Sequence, residues 1–146
     1  MAFSDQVIAR GEDVYKFLPQ RPPMVMIDTI ISCHDKITTT SLNIKSDNIF
    51  IRDGFLAEPG IIENIAQTAA AGLGFSIIKE NNENTVPVGV IGAIKDLKIY
   101  ALPETGTTIT TEVTVMHEVL NASVVSGKVF QSDQLVAECE MKIFLT

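Results

Sequence analysis

Glu63 and Gln67 have the residue types and the spacing to do chemistry. They are four positions apart, so a helix sets them on one face, one turn from each other. A carboxylate held by an amide and shielded from water can serve as a general acid or base, or as a polar anchor in a cleft. The plainer reading is a solvated Glu at an exposed helix end. Their neighbours favour shielding. Pro59-Gly60-Ile61-Ile62-Glu63-Asn64-Ile65-Ala66-Gln67-Thr68 continues as Ala69-Ala70-Ala71-Gly72-Leu73-Gly74-Phe75-Ser76-Ile77-Ile78, apolar around its circumference until Lys79 and Glu80. A surface helix would carry one apolar stripe and one charged face. This one keeps its polar residues early, at Glu63, Asn64, Gln67 and Thr68. The pattern predicts a buried helix with a polar first half and another element wrapped around it. Pro59 suits the first turn, where its missing N–H leaves no bond unmade.

The wrapping must come from strands. Glu12 to Phe17 predicts a short helix, ended by Pro19, and Gln20-Arg21-Pro22-Pro23 is extended because each residue before a proline leaves the helical region. Met24-Val25-Met26-Ile27-Asp28 predicts the start of a strand buried on both faces. Asp35-Lys36 reads as a turn, followed by a Thr-rich strand from Ile37 to Ile44. Ser46 to Glu58 is irregular, with turn formers at Asp53-Gly54 and Glu58-Pro59-Gly60. Asn81 to Asn84 reads as a polar turn. Val86 to Tyr100 alternates unevenly, Gly89 and Gly92 marking bends or close packing. Thr107 to His117, Asn121 to Gln131 and Leu135 to Leu145 are period-two strands joined by short turns. Long antiparallel strands with one apolar face curl around a helix, so the fold class is α+β in a single domain over 1–146.

Composition narrows the function. A formal charge of −7 without a Lys/Arg cluster argues against nucleic acid, whose phosphates need clustered cations. Cys33 and Cys139 lie far apart, outside any metal or redox motif, and read first as buried reduced thiols and second as a disulfide. The N-terminus lacks the pattern of a signal peptide. Glu63 and Gln67 interrupt the longest apolar run, so no membrane span is expected. The expectation is a soluble cytoplasmic protein. Phosphate-loop, dinucleotide-binding, nucleophile-elbow and zinc-protease motifs are absent. His34 and His117 read as ordinary turn and strand-end residues. Asp28 reads first as a tether for local backbone and second as an inward acid. Arg21 either fixes the loop or meets a carboxylate.

Three segments in order resemble a known family. Leu18-Pro19-Gln20-Arg21-Pro22-Pro23-Met24-Val25-Met26-Ile27-Asp28, the Pro59-to-Gln67 stretch, and Val90 to Gly106 with its Pro103-Glu104-Thr105-Gly106 turn are similar to the 3-hydroxyacyl-[acyl-carrier-protein] dehydratases of the hotdog fold. The resemblance spans about Phe17 to Leu145. It implies a long helix in a curved antiparallel sheet, with a dimer as the minimal unit and an acyl-pantetheine in a shared tunnel. It implies no bound cofactor, since the substrate rides on the phosphopantetheine of an acyl carrier protein. By resemblance Glu63 is the candidate acid/base and Gln67 its orienting neighbour. Gly60, Ile61, Phe55 and Gly92 would contact the substrate or its oxyanion, and Arg21, Asp28 and Pro59 would be structural.

The sequence departs from the family at two places. The loop histidine that serves as the base has no counterpart, because Asp53-Gly54-Phe55-Leu56 occupies its place with Gly54 where the base should be. The histidine of the strand entry is Gln20 here. Neither residue is a general base near neutral pH. In its short loop and Arg-Pro-Pro-Met run the chain is most similar to dehydratase-like proteins of aryl-polyene and flexirubin-type pigment clusters. Three readings follow: a dehydratase subunit contributing Glu63 while a second hotdog subunit supplies the histidine; a homodimeric dehydratase or thioesterase relying on Glu63 alone; or a noncatalytic acyl-thioester or acyl-carrier binding module.

Overall fold

The computed structural model describes residues 6–81 and 86–146. In chain order it contains β1 (Ala9–Arg10), a 3-10 helix (Gly11–Phe17), β2 (Thr29–His34), β3 (Ile37–Asn43), β4 (Ile51–Arg52), β5 (Phe55–Leu56), α1 (Glu58–Asn81), β6 (Gly89–Ile99), β7 (Thr108–Val119), β8 (Ala122–Gln131) and β9 (Gln134–Leu145). Seven strands form one antiparallel sheet in the order β1-β2-β3-β7-β8-β9-β6. The sheet curves around α1, which is the hotdog arrangement. β4 and β5 form a separate two-stranded hairpin just ahead of the helix.

The turns follow from local chemistry. Asp35 and Lys36 have φ of 54° and 65°, and Ser132 and Asp133 have 48° and 67°. Consecutive positive φ values match the right-handed twist of a two-residue hairpin. The core is the concave face of the sheet pressed on the helix, with Ile61, Ile65, Ile109, Val113, Val125, Val129 and Met141 essentially inaccessible. Two glycines allow the close approach. A Cβ on Gly127 would overlap Ile65, and one on Gly72 would overlap Thr38.

Several sequence expectations change. Met24–Asp28 is irregular, and the strand starts at Thr29. Side chains of α1 take the backbone groups of Met24 and Met26 that a ladder would otherwise use. The hairpin Ile51–Leu56 lies in the stretch expected to be irregular. Over Glu58–Glu80 the helix is, by length and mean hydropathy, apolar enough to cross a bilayer, although Glu63 and Gln67 interrupt the run. Here the sheet wraps it instead. The expected polar turn at Asn81–Asn84 lies mostly outside the described residues; Asn81 itself ends α1.

Candidate functional site

The early polar residues of α1 form a buried network. Gln67 is fully buried. Its Oε1 accepts the Met26 N–H at 2.7 Å, and its Nε2 donates to the Met24 carbonyl at 2.7 Å and to Glu63 Oε2 at 2.7 Å. One turn of helix therefore fixes both the Met24–Met26 loop and the orientation of the carboxylate. Asn64 grips the same loop from the other side: its Nδ2 donates to the Met26 carbonyl at 2.8 Å, and its Oδ1 accepts from the Thr111 hydroxyl at 2.5 Å. Thr68 donates to the Asn64 carbonyl and lies 2.7 Å from the Thr40 hydroxyl. Buried amides and hydroxyls are tolerated only when their bonds are made, and here they lock helix, loop, β3 and β7 together.

Glu63 is half-buried. Among the described residues Gln67 is its one side-chain partner, so one carboxylate oxygen is held and the other makes no bond to a side chain. The arrangement suits proton transfer or hydrogen bonding to a ligand, with the carboxylate aimed by a fixed amide.

The remaining sequence candidates take several places. Pro59 lies in the first turn of α1, and Gly60 follows it. The N–H groups of Gly60 and Ile61 both point at the Ala57 carbonyl, at 2.9 and 3.3 Å. Gly60 is packed so closely that a Cβ would lie 2.6 Å from Leu56 Cδ1 and 2.8 Å from Phe50 Cβ. Gly54 is at the exposed tip of the β4–β5 hairpin with φ of +84°, and a Cβ there would meet nothing within 4 Å. Phe55 beside it is part-exposed. Gly92 sits at a bulge in β6 and receives the ring of Phe144. Arg21 Nη1 donates to the carbonyls of Leu18 and Gln20 at 2.7 Å each, with its guanidinium over the Tyr15 ring. Asp28 Oδ2 accepts the Asn43 N–H at 2.5 Å. Gln20 Oε1 is buried without a hydrogen-bond partner.

The structure thus brings Glu63 and Gln67 together, and leaves Gly54, Phe55 and Gly92 on separate elements. Neither histidine stands near the carboxylate along the helix. His34 follows Cys33, whose thiol points at the Gly72 carbonyl, nine residues beyond Glu63 and so about 13 Å along the axis. His117 lies near the distal end of the β7–β8 hairpin. Asn64 was visible in sequence only as one of the early polar exceptions; its grip on Met26 and Thr111 depends on contacts across long sequence separations. Among the described residues no group of three His, Cys, Asp or Glu is placed to hold a metal ion.

Three further groups have shifted acidities. Glu58, at the helix start, is held below the usual carboxylate range by its own backbone N–H and then by Arg52, whose Nη2 lies 2.9 Å away. The Tyr100 hydroxyl donates to Glu138 at 2.6 Å, which raises its pKa. Burial pushes the Cys139 thiol up to about 11, with Glu140 adding to it.

β6 forms one edge of the sheet. Val90, Ile94, Leu97 and Tyr100 on or beside it are exposed at 49%, 40%, 37% and 55%. Edge strands in stable monomers are usually short, charged or covered. This one is eleven residues long and mixes those apolar side chains with Lys95, Asp96 and Lys98.

Residues 12–146 match the ApeP-like family, described as ApeP dehydratase. A 3-hydroxyacyl-[acyl-carrier-protein] dehydratase, FabZ, from Campylobacter lari is 29% identical over 140 residues, covering 90% of this chain and 94% of the relative. Among solved structures, the dehydratase heterocomplex ApeI:P of Xenorhabdus doucetiae contains a chain that superposes with a TM-score of 0.84 at 17% identity, covering 91% of this chain and 90% of that one. A Streptococcus mutans protein bound to acetyl CoA superposes with a TM-score of 0.66 at 16% identity, covering 88% and 95%. At these identities the structural matches establish the fold.

Proposed function

The chain belongs to the ApeP-like dehydratase family, and on that footing we propose that it is the acid-bearing half of a two-subunit 3-hydroxyacyl-thioester dehydratase. The observation that carries this reading is Glu63, half-buried on a largely apolar helix and held by Gln67. In this reaction a base removes the proton next to the thioester carbonyl, and the C–O bond of the 3-hydroxyl breaks. Glu63 in its acid form gives that oxygen a proton, so water departs, and the carboxylate is reset by the proton the base took. Gly54 cannot be the base, and both histidines lie toward the far end of the sheet. The reading therefore assigns the base to a second hotdog subunit.

The edge strand β6 is the surface this reading gives to that subunit, since it offers unpaired backbone groups together with exposed Ile94 and Leu97 between Lys95, Asp96 and Lys98. The pairing of subunits in the ApeI:P heterocomplex supports such an assembly. The acyl group would arrive on the phosphopantetheine of an acyl carrier protein, in fatty-acid or polyene synthesis, in the cytoplasm. Gly60, Ile61, Phe55 and Gly92 would contact the substrate. Because the N–H groups of Gly60 and Ile61 are directed at Ala57, any role at an oxyanion requires sharing those bonds.

The test is an assay of hydration and dehydration on a 3-hydroxyacyl-carrier thioester, with this chain alone and with a hotdog partner bearing the loop histidine. Activity is expected only with the partner, and Glu63→Gln in the pair lowers it by ~10²–10⁴ while the melting temperature stays put. Full activity of the chain alone, or an unchanged rate in Glu63→Gln, defeats the proposal.

A further inference from the structure

The buried polar network has a direction. Met26 offers α1 one backbone donor and one backbone acceptor, and neither can change roles. Its N–H meets Gln67 Oε1 at 2.7 Å, so the amide presents oxygen there and nitrogen on its other side. The Met24 carbonyl, an acceptor only, demands the same orientation from Nε2. Both Nε2 protons are then committed, one to Met24 and one to Glu63 Oε2, at 2.7 Å each. Asn64 is fixed in the same way. Its Nδ2 must face the Met26 carbonyl at 2.8 Å, so its Oδ1 faces Thr111 and the Thr111 hydroxyl has to donate. Met26, Asn64, Gln67 and Thr111 are at most 1% exposed, so water does not offer these groups other partners.

Donors therefore run one way, from Thr111 on β7 through Asn64, the Met26 backbone and Gln67 to Glu63. Hydrogen bonds aligned head to tail in a dry interior polarise one another. An ionised Glu63 accepts at Oε2. A protonated Glu63 has one carbonyl oxygen and one hydroxyl oxygen, and the carbonyl oxygen is the better acceptor, so the Gln67 N–H selects Oε2 as the carbonyl. The proton is left to Oε1, the oxygen that bonds to no side chain among the described residues.

We propose that Thr111 and Asn64 are positioning residues which, acting through Met26 and Gln67, hold the proton of acid-form Glu63 on Oε1 and keep the carboxyl in one orientation. Delivery of that proton to a departing 3-hydroxyl rests on the proposed function; the placement of the proton does not.

The test has two arms. On the isolated chain, NMR follows the Gln67 side-chain amide while Glu63 is protonated, the carboxyl carbon of Glu63 marking the titration. Both Nε2 protons are expected to stay protected from exchange throughout. An amide that releases Glu63 on protonation overturns the placement. Thr111→Val keeps the shape and removes the donor, and is expected to speed exchange of the Gln67 amide about tenfold. Thr111→Ser keeps the hydroxyl and restores protection. Unchanged protection in folded Thr111→Val overturns the link to β7. In the paired dehydration assay Thr111→Val is expected to lower kcat about tenfold with KM within about twofold, and Thr111→Ser to recover it. A loss carried by KM alone, or an unchanged kcat, overturns the positioning role. Thr111→Ala takes the place of Thr111→Val should the latter misfold. Amide signals that behave as expected while the pair shows no dehydration sink the proposed function and leave the proton placement standing.

Discussion

Replacing Gln67 by Leu tests the network that aims Glu63. The substitution keeps the volume near Gln67 but removes an acceptor and two donors at once. The Met26 N–H, on a residue 1% exposed, loses its only partner from this side chain, and a buried donor left unpaired costs about 1–3 kcal/mol. The Met24 carbonyl belongs to a residue 38% exposed, so water replaces that bond at a cost of under ~1 kcal/mol. Together the loss is about 1–4 kcal/mol, which lowers the melting temperature of a chain this size by roughly 3–15 °C. Gln67→Glu separates the donors from the acceptor. It keeps an oxygen for Met26 but sets a second carboxyl against Glu63, and such a pair shares a proton. Protonation then favours the folded state, so stability is retained at low pH and lost as pH rises. Thermal melts of Gln67→Glu at about pH 4 and about pH 8 are expected to differ in that direction, relative to wild type. A Gln67→Leu variant melting within about 2 °C of wild type, which is under ~1 kcal/mol, refutes the claim that this amide holds the loop.

The remaining predictions concern the core and the thiols. Gly127→Ala places a methyl against Ile65 and is expected to cost about 1–3 kcal/mol, as overpacking does; denaturant melts measure it, and an unchanged midpoint would show that the helix can shift. Cys33, half-buried, is expected to react with a thiol reagent in the folded protein, while Cys139 reacts only on unfolding. The Cys139 thiol is raised above its ordinary 9.0 to about 11. Its contribution is therefore complete below about pH 9 and lost as pH passes about 11. The stability gap between wild type and Cys139→Ala is expected to narrow over that range by about 2 kcal/mol at most, measured by denaturant melts at each pH.

Much of the architecture was legible because its signals were local. An apolar circumference broken by four early polar residues announced α1, and period-two runs announced β3, β7, β8 and β9. Gly92 signalled a bend and lies at a bulge. Asp96, with φ of 55° near a second register shift in β6, gave no such sign, since nothing in its neighbours distinguishes it from a surface residue. Met24–Asp28 was misread because a continuous apolar run looks like a strand when its backbone partners are unknown. Those partners proved to be side chains about forty residues away. The β4–β5 hairpin has two residues per strand, too few for any periodicity to show. The pairing of Glu63 with Gln67 was readable from spacing alone.

The tip of the β4–β5 hairpin has a wider consequence. Gly54 projects into open space, whereas Glu63 is bonded to the amide that anchors the scaffold. The two positions therefore tolerate change very differently. At the tip a side chain meets nothing, and its only cost is the positive φ, whereas a change at Gln67 frees the loop that the helix holds and loosens the molecule.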